Sequence, residues 1–163
     1  MRNLSRIIFI IILLLGLVQA VYYYPLLPDR VASHFGVSGN PDAWSSKDSF
    51  MKIYGIAILV VAVLFSGIGF LLRKAPTSLI NLPNKAYWLS PEQRDETVDG
   101  LSRQFLWPGS ATLLLIQDIF HQAFNVQLGR AQTLEHPIAS IVVYAVFTII
   151  WNIALIAKFK RVP

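Results

Sequence analysis

Four long apolar runs dominate this chain and decide the solvent it can fold in. They cover about residues 7–24, 53–72, 108–126 and 138–157. A hydrocarbon core about 30 Å thick is crossed by roughly 20 helical residues, so each run is long enough to span it. Of the 163 residues, 55% are hydrophobic and only 14% charged, against about 25% charged in a soluble domain. So much apolar surface exceeds what a short water-soluble core can bury. The expectation is an all-α membrane protein: one domain over 1–163, with four transmembrane helices.

Basic residues fix the expected orientation. Arg2 and Arg6 precede the first run. Arg73, Lys74, Lys85, Arg94 and Arg103 lie between the second and third, and Lys158, Lys160 and Arg161 follow the fourth. The other side carries only Arg30, Lys47, Lys52 and Arg130. By the positive-inside rule both termini and the middle connection are cytoplasmic, and the first connection faces out. The net charge of +5 therefore points to anionic headgroups rather than nucleic acid, which is excluded as a partner. A cleaved signal peptide ending at Val18-Gln19-Ala20 is the rival reading of the first run. The run continues past that site, and either way the next residues emerge on the same side.

The first connection, Leu27 to Lys47, reads LPDRVASHFGVSGNPDAWSSK. Its Gly36, Gly39, Asn40 and Pro41 are turn formers, so the expectation is a short extracytoplasmic loop. Asp29, His34, Asp42 and Trp44 are its candidate binding residues. One imidazole among scattered carboxylates suits a divalent metal or a simple cap-and-turn role, and the spacing does not choose between them. Trp44 reads as an interfacial anchor or part of a recognition surface.

The second connection contains Ser90-Pro91-Glu92-Gln93, a capping-box helix start. Arg94, Val98, Leu101 and Phe105 follow at helical spacing and predict an amphipathic cytoplasmic helix lying on the membrane. Just before it, Asn84, Lys85, Tyr87 and Trp88 form a candidate docking patch for a cytoplasmic partner. Inside the third run, Asp118, His121, Gln122 and Asn125 recur at i, i+3, i+4 and i+7, placing them on one helix face. Ionisable groups within a span are rare and point either to function or to a polar lock between helices. Here the functional form is a proton relay, metal site or ligand pocket built on Asp118, His121 and Asn125, with Asp118 bonded to His121. A pocket roofed by His34 and Asp42 and floored by Asp118 and His121 is the sharpest version.

No HExxH, GxSxG, phosphate-binding or dinucleotide motif is present, and the absence of cysteine removes disulfides and thiolate chemistry. No cofactor is expected, and the balance leans away from an enzyme.

Two segments resemble a known family. LPDRVASHFGVSGNPDAWSSK is similar to the hallmark of the bacterial membrane domain-of-unknown-function family 1648, a "LPD…H…G.PD.W.SK" pattern after a first span. INLPNKAYWLSPEQRDE, residues 80–96, resembles a second signature of that family after the second span. Related domains occur in proteins similar to the immunity protein against a sporulation-delaying toxin, which are longer than this chain. The resemblance implies a multi-pass bacterial plasma-membrane protein and supplies no catalytic residues. The expected role is a sensing, binding or immunity-type signalling module that meets an extracytoplasmic ligand or toxin. The alternatives are a small transporter using Asp118 and His121, and a scaffold with no ligand of its own.

Overall fold

The computed structural model describes residues 3–162, so Arg2 lies outside the described residues. Five helices and one hairpin follow in order: α1 (Leu4–Tyr23), β1 (Arg30–Phe35), β2 (Pro41–Ser46), α2 (Lys47–Lys74), α3 (Lys85–Trp88), α4 (Arg94–Gln127) and α5 (Pro137–Lys160). Three stretches are long and apolar enough to cross a membrane: Leu4–Leu26, Lys47–Lys74 and Pro137–Lys160. The third expected run is not among them.

That run is the C-terminal part of α4. The expected surface helix and the expected third span form one helix of 34 residues, about 50 Å long at 1.5 Å per residue. Its helical dihedrals begin at Arg94, after a turn in which Ser90 O accepts from Gln93 N and Arg94 N. The start is thus a few residues later than the capping box suggests. Pro108, the first residue of the third apolar run, sits inside the helix. Proline lacks the N–H that would bond Gln104 O, four residues back. Next to it, Ser110 Oγ donates to Leu106 O and Thr112 Oγ1 to Pro108 O, both at 2.8 Å.

α4 is less apolar than its neighbours because it is the axis they pack around, meeting α1, α2 and α5. Its inward residues Leu113 and Phe124 are fully buried, with Tyr54 and Ile58 of α2 and Phe9 and Ile12 of α1. Against lipid there is no hydrophobic gain in bringing helices together, so close approach at small residues matters. Gly109 is the tightest such seat: a Cβ there would lie 2.6 Å from Phe65 Cγ and 3.0 Å from Phe9 Cε2. Gly16 of α1 does the same for Gln117 at 3.1 Å. α5 packs at the rim, and Phe159 is its one buried residue. The outward faces of α1, α2 and α5 are lined with exposed Leu, Ile and Val, such as Leu14, Leu59 and Ile141. A surface of that kind is covered by lipid or protein, not by water.

The first connection is not an irregular loop. It forms an antiparallel hairpin pairing Arg30 with Ser46, Val31 with Ser45 and Ala32 with Trp44, with register shifts around His34. The turn closes through Gly39 N to Gly36 O (2.8 Å) and Gly36 N to Asn40 O (2.9 Å), with Gly39 at φ +77°. Strand β2 runs straight into α2, whose N-cap Ser46 accepts from Ser49 N. That cap starts α2 six residues ahead of the apolar run.

Candidate functional site

The hairpin is held at its base, on its inner side and at its tip. At the base, Lys47 Nζ pairs with Asp29 Oδ1 at 3.0 Å, while Lys47 N donates to Asp29 O at 3.0 Å. On the inner side, Val31 and Ala32 are buried. Gln127, at the end of α4, accepts from Ala32 N (2.8 Å) and donates to Ala32 O (2.7 Å). One side-chain amide therefore satisfies both backbone groups of a strand residue, as a neighbouring strand would. At the tip, Leu134 N donates to Gly39 O at 3.0 Å. A Cβ on Gly39 would stand 3.0 Å from Leu134 O, so glycine is required there for space as well as for its positive φ.

What remains exposed is the set of side chains singled out from the sequence. His34 Nδ1 meets Asp42 Oδ1 at 2.5 Å, with both side chains largely in solvent. Gly36 leaves room for that carboxylate, since a Cβ there would be 3.3 Å from Asp42 Oδ2. Trp44 is 53% exposed, and the Arg30 guanidinium carbon lies 5.9 Å from its ring centroid. Exposed ion pairs contribute about 0–1 kcal/mol, so His34–Asp42 adds little to stability. Among the described residues no three His, Cys, Asp or Glu side chains gather as a metal site.

The polar residues of α4 separate instead of forming one cluster. His121 Nδ1 is hydrogen-bonded to Tyr23 OH at 3.1 Å, and Tyr23 stacks on Phe124 at 4.3 Å. Asp118 turns to α5, where Ser140 Oγ donates to its Oδ2, and Gln122 Nε2 of its own helix donates to the same oxygen. The expected Asp118–His121 bond is therefore replaced by bonds to two different helices. Three residues apart leaves about 60° between the two side chains around the helix, enough to aim them at different neighbours. Asn125 closes the helix end through its backbone, its O accepting from Arg130 N at 2.8 Å. The groove that Asp118 lines has neither His34 nor Asp42 in its walls.

A lock that the sequence hid lies deeper. Gln117 Nε2 donates to Ile12 O (2.9 Å) and Gln19 Nε2 to Gln117 O (3.2 Å). Tyr54 OH donates to Gln19 Oε1 and lies 3.3 Å from Gly16 O. Tyr54 is 1% exposed. Three helices are tied together here by polar groups that would otherwise go unpaired.

At the opposite end, the 80–96 segment clips two helix termini. Asn84, held at φ 51° and ψ 39°, donates to Lys160 O (2.9 Å) and Phe159 O (3.2 Å). Trp88 Nε1 donates to Phe159 O at 2.9 Å, and Lys85 Nζ to Ser78 O at 3.1 Å. Arg94 reaches Leu72 O, Arg73 O and Ala75 O. The last carbonyls of a helix have no partner within it, and here side chains supply them for α2 and α5. Of the expected docking patch, Asn84, Lys85 and Trp88 are thus engaged within the chain, and Tyr87 is at the surface. Nearby, Arg73 pairs with Asp99, and the guanidinium holds that carboxyl below its usual range. Hydrogen bonding to its own backbone N–H and the Ser90 hydroxyl lowers Glu92 in the same sense.

Residues 11–62 match the family described as Domain of unknown function (DUF1648). That stretch takes in most of α1, the whole hairpin and the first half of α2, while the 80–96 segment lies outside it. No curated protein and no solved structure matches the chain.

Proposed function

We propose that this chain, whose residues 11–62 are a DUF1648 domain, is a multi-pass plasma-membrane binding module that reads its ligand with the hairpin. α4 is its fourth crossing helix, the termini are cytoplasmic and the hairpin faces out, in keeping with the basic residues collected at the clipped end. One observation carries the reading. The hairpin is braced from beneath by Gln127 and Leu134, yet leaves Arg30, His34, Asp42 and Trp44 exposed. A rigid aromatic beside a guanidinium is the kind of anchor that dominates recognition surfaces, and bracing removes the ordering cost of binding. An extracytoplasmic peptide or toxin fits this surface. A cytoplasmic partner, if used, would meet Tyr87 on the segment held by Asn84, Lys85 and Trp88. A proton path through Asp118 and His121 has less support, since each bonds to a different helix.

The test is survival of cells expressing the chain when challenged with membrane-active peptides, against cells lacking it. Trp44→Ala with Arg30→Ser should abolish any protection while the protein still accumulates in the membrane, and Asp118→Asn should retain it. Protection lost with Asp118→Asn and kept in the hairpin variant would move the function to α4.

A further inference from the structure

Between α1, α4 and α5 runs an apolar groove of about 550 Å³, within the 300–1,000 Å³ usual for small-ligand sites. Ile12, Ala111, Leu114, Val143 and Phe147 form its walls, Trp107 lies at one end and Asp118 with Ser140 at the other. Its depth can be placed. Gln122 Oε1 accepts from His136 N at 2.9 Å, and His136 is the residue from which α5 departs. Asp118, one turn back from Gln122, therefore sits about 6 Å below the start of α5. From there to Trp107 the helix descends about 16 Å, the depth of one leaflet of a 30 Å core.

The chemistry at the upper end is one-sided. Both hydrogen bonds to Asp118 go to Oδ2, and among the described residues Oδ1 receives none and no basic side chain pairs with Asp118. Oδ1 is therefore an acceptor left open at the polar end of an apolar groove, and a carboxyl group placed within a span is ordinarily paired. We propose that the groove binds a single-chain amphiphile with a protonated amine head, its ammonium on Asp118 Oδ1 and its chain running toward Trp107. An alcohol would supply the hydrogen bond without the charge. An aminophospholipid carries phosphate and glycerol between amine and chains, so its amine cannot top a chain lying in this groove.

The full chain in a non-ionic detergent is offered dodecylamine, dodecanol or phosphatidylethanolamine at equal concentration, and bound ligand is counted by native mass spectrometry. Dodecylamine should bind in a one-to-one complex, dodecanol about tenfold more weakly, and phosphatidylethanolamine no better than phosphatidylcholine. Asp118→Asn keeps an oxygen for Ser140 and Gln122 and so preserves the helix contact, yet should lose dodecylamine by a similar factor. Ala111→Trp, which fills the groove and leaves the carboxylate, should lose it too. Equal binding of amine and alcohol, full binding by either variant, or preference for phosphatidylethanolamine would overturn the proposal.

Discussion

Gln127 completes the backbone of Ala32. Its amide oxygen takes the strand N–H and its amide nitrogen serves the strand carbonyl, at 2.8 and 2.7 Å. A two-stranded hairpin is marginal alone, so docking its inner edge on a helix end is what gives it a fixed pose. Gln127→Leu keeps the bulk and removes both bonds, stranding two half-buried backbone groups. The expected cost is about 1–3 kcal/mol, concentrated in the hairpin. Amide hydrogen exchange at Ala32 should quicken and protease should cut near Val37, while α2 and α4 stay protected. Unchanged exchange at Ala32 would mean that the clamp is not what holds the strand.

Gly109 tests the closeness of the bundle. Alanine would place a carbon 2.6 Å from Phe65 Cγ and 2.8 Å from its Cβ, and a clash with the root of a side chain is not relieved by turning its ring. Gly109→Ala should destabilise by about 1–3 kcal/mol through overpacking. Gly67→Ala, where a Cβ meets nothing within 4 Å, should be neutral or slightly stabilising, since alanine is the better helix former. Unfolding of both variants by SDS titration in mixed micelles makes the comparison. A neutral Gly109→Ala would show that α2 does not seat there.

Much of this architecture was legible because its signal is local. Apolar runs mark α1, α2 and α5, and the exposed positions Arg30, His34, Asp42 and Trp44 stand out as polar or aromatic groups in a turn-rich stretch. The hairpin was hidden because its apolar residues Val31, Ala32 and Phe35 do not alternate and a register shift at His34 breaks the period. α4 was split in two by Pro108, a residue that normally ends helices but is tolerated here beside Ser110 and Thr112. Asp118 and His121 share a helical stripe, yet their partners Ser140 and Tyr23 are set by tertiary contacts that no spacing records. Gln117 stands out as a polar residue inside the third run, though nothing in its spacing names Ile12 as partner, and Gln127 carried no motif at all, since a glutamine bonded to a distant backbone looks like any polar residue near a helix end.

The 80–96 segment should act as a clip rather than a free surface. Asn84 supplies two bonds to the last carbonyls of α5 and tolerates the left-handed conformation. Asn84→Gly keeps that conformation and loses the bonds, while Asn84→Ala loses both. The order of stability should be asparagine, then glycine, then alanine, with about 1–2 kcal/mol between the ends of the series. Trp88→Phe should add to the loss less than independently, because both residues hold Phe159 O. Equal stability of all three residues at 84 would return the segment to a docking role.

The chain has no cysteine, so a single introduced thiol reports topology without background. Val37 projects fully from the hairpin tip, and Ser78 lies on the opposite end near the basic cluster. If basic residues set the orientation, Val37→Cys reacts with a membrane-impermeant maleimide in intact cells, and Ser78→Cys reacts only after permeabilisation. Placing both on opposite sides requires α2 to cross, while a pair at Val37 and Arg161 on opposite sides requires α4 and α5 to cross together or not at all. Protection of Arg161→Cys in intact cells, with Val37→Cys open, gives an even number of crossings after the hairpin plus one. That parity is met when α2, α4 and α5 all span, and it fails if α4 lies along the surface while α5 spans, because Arg161 would then be labelled from outside.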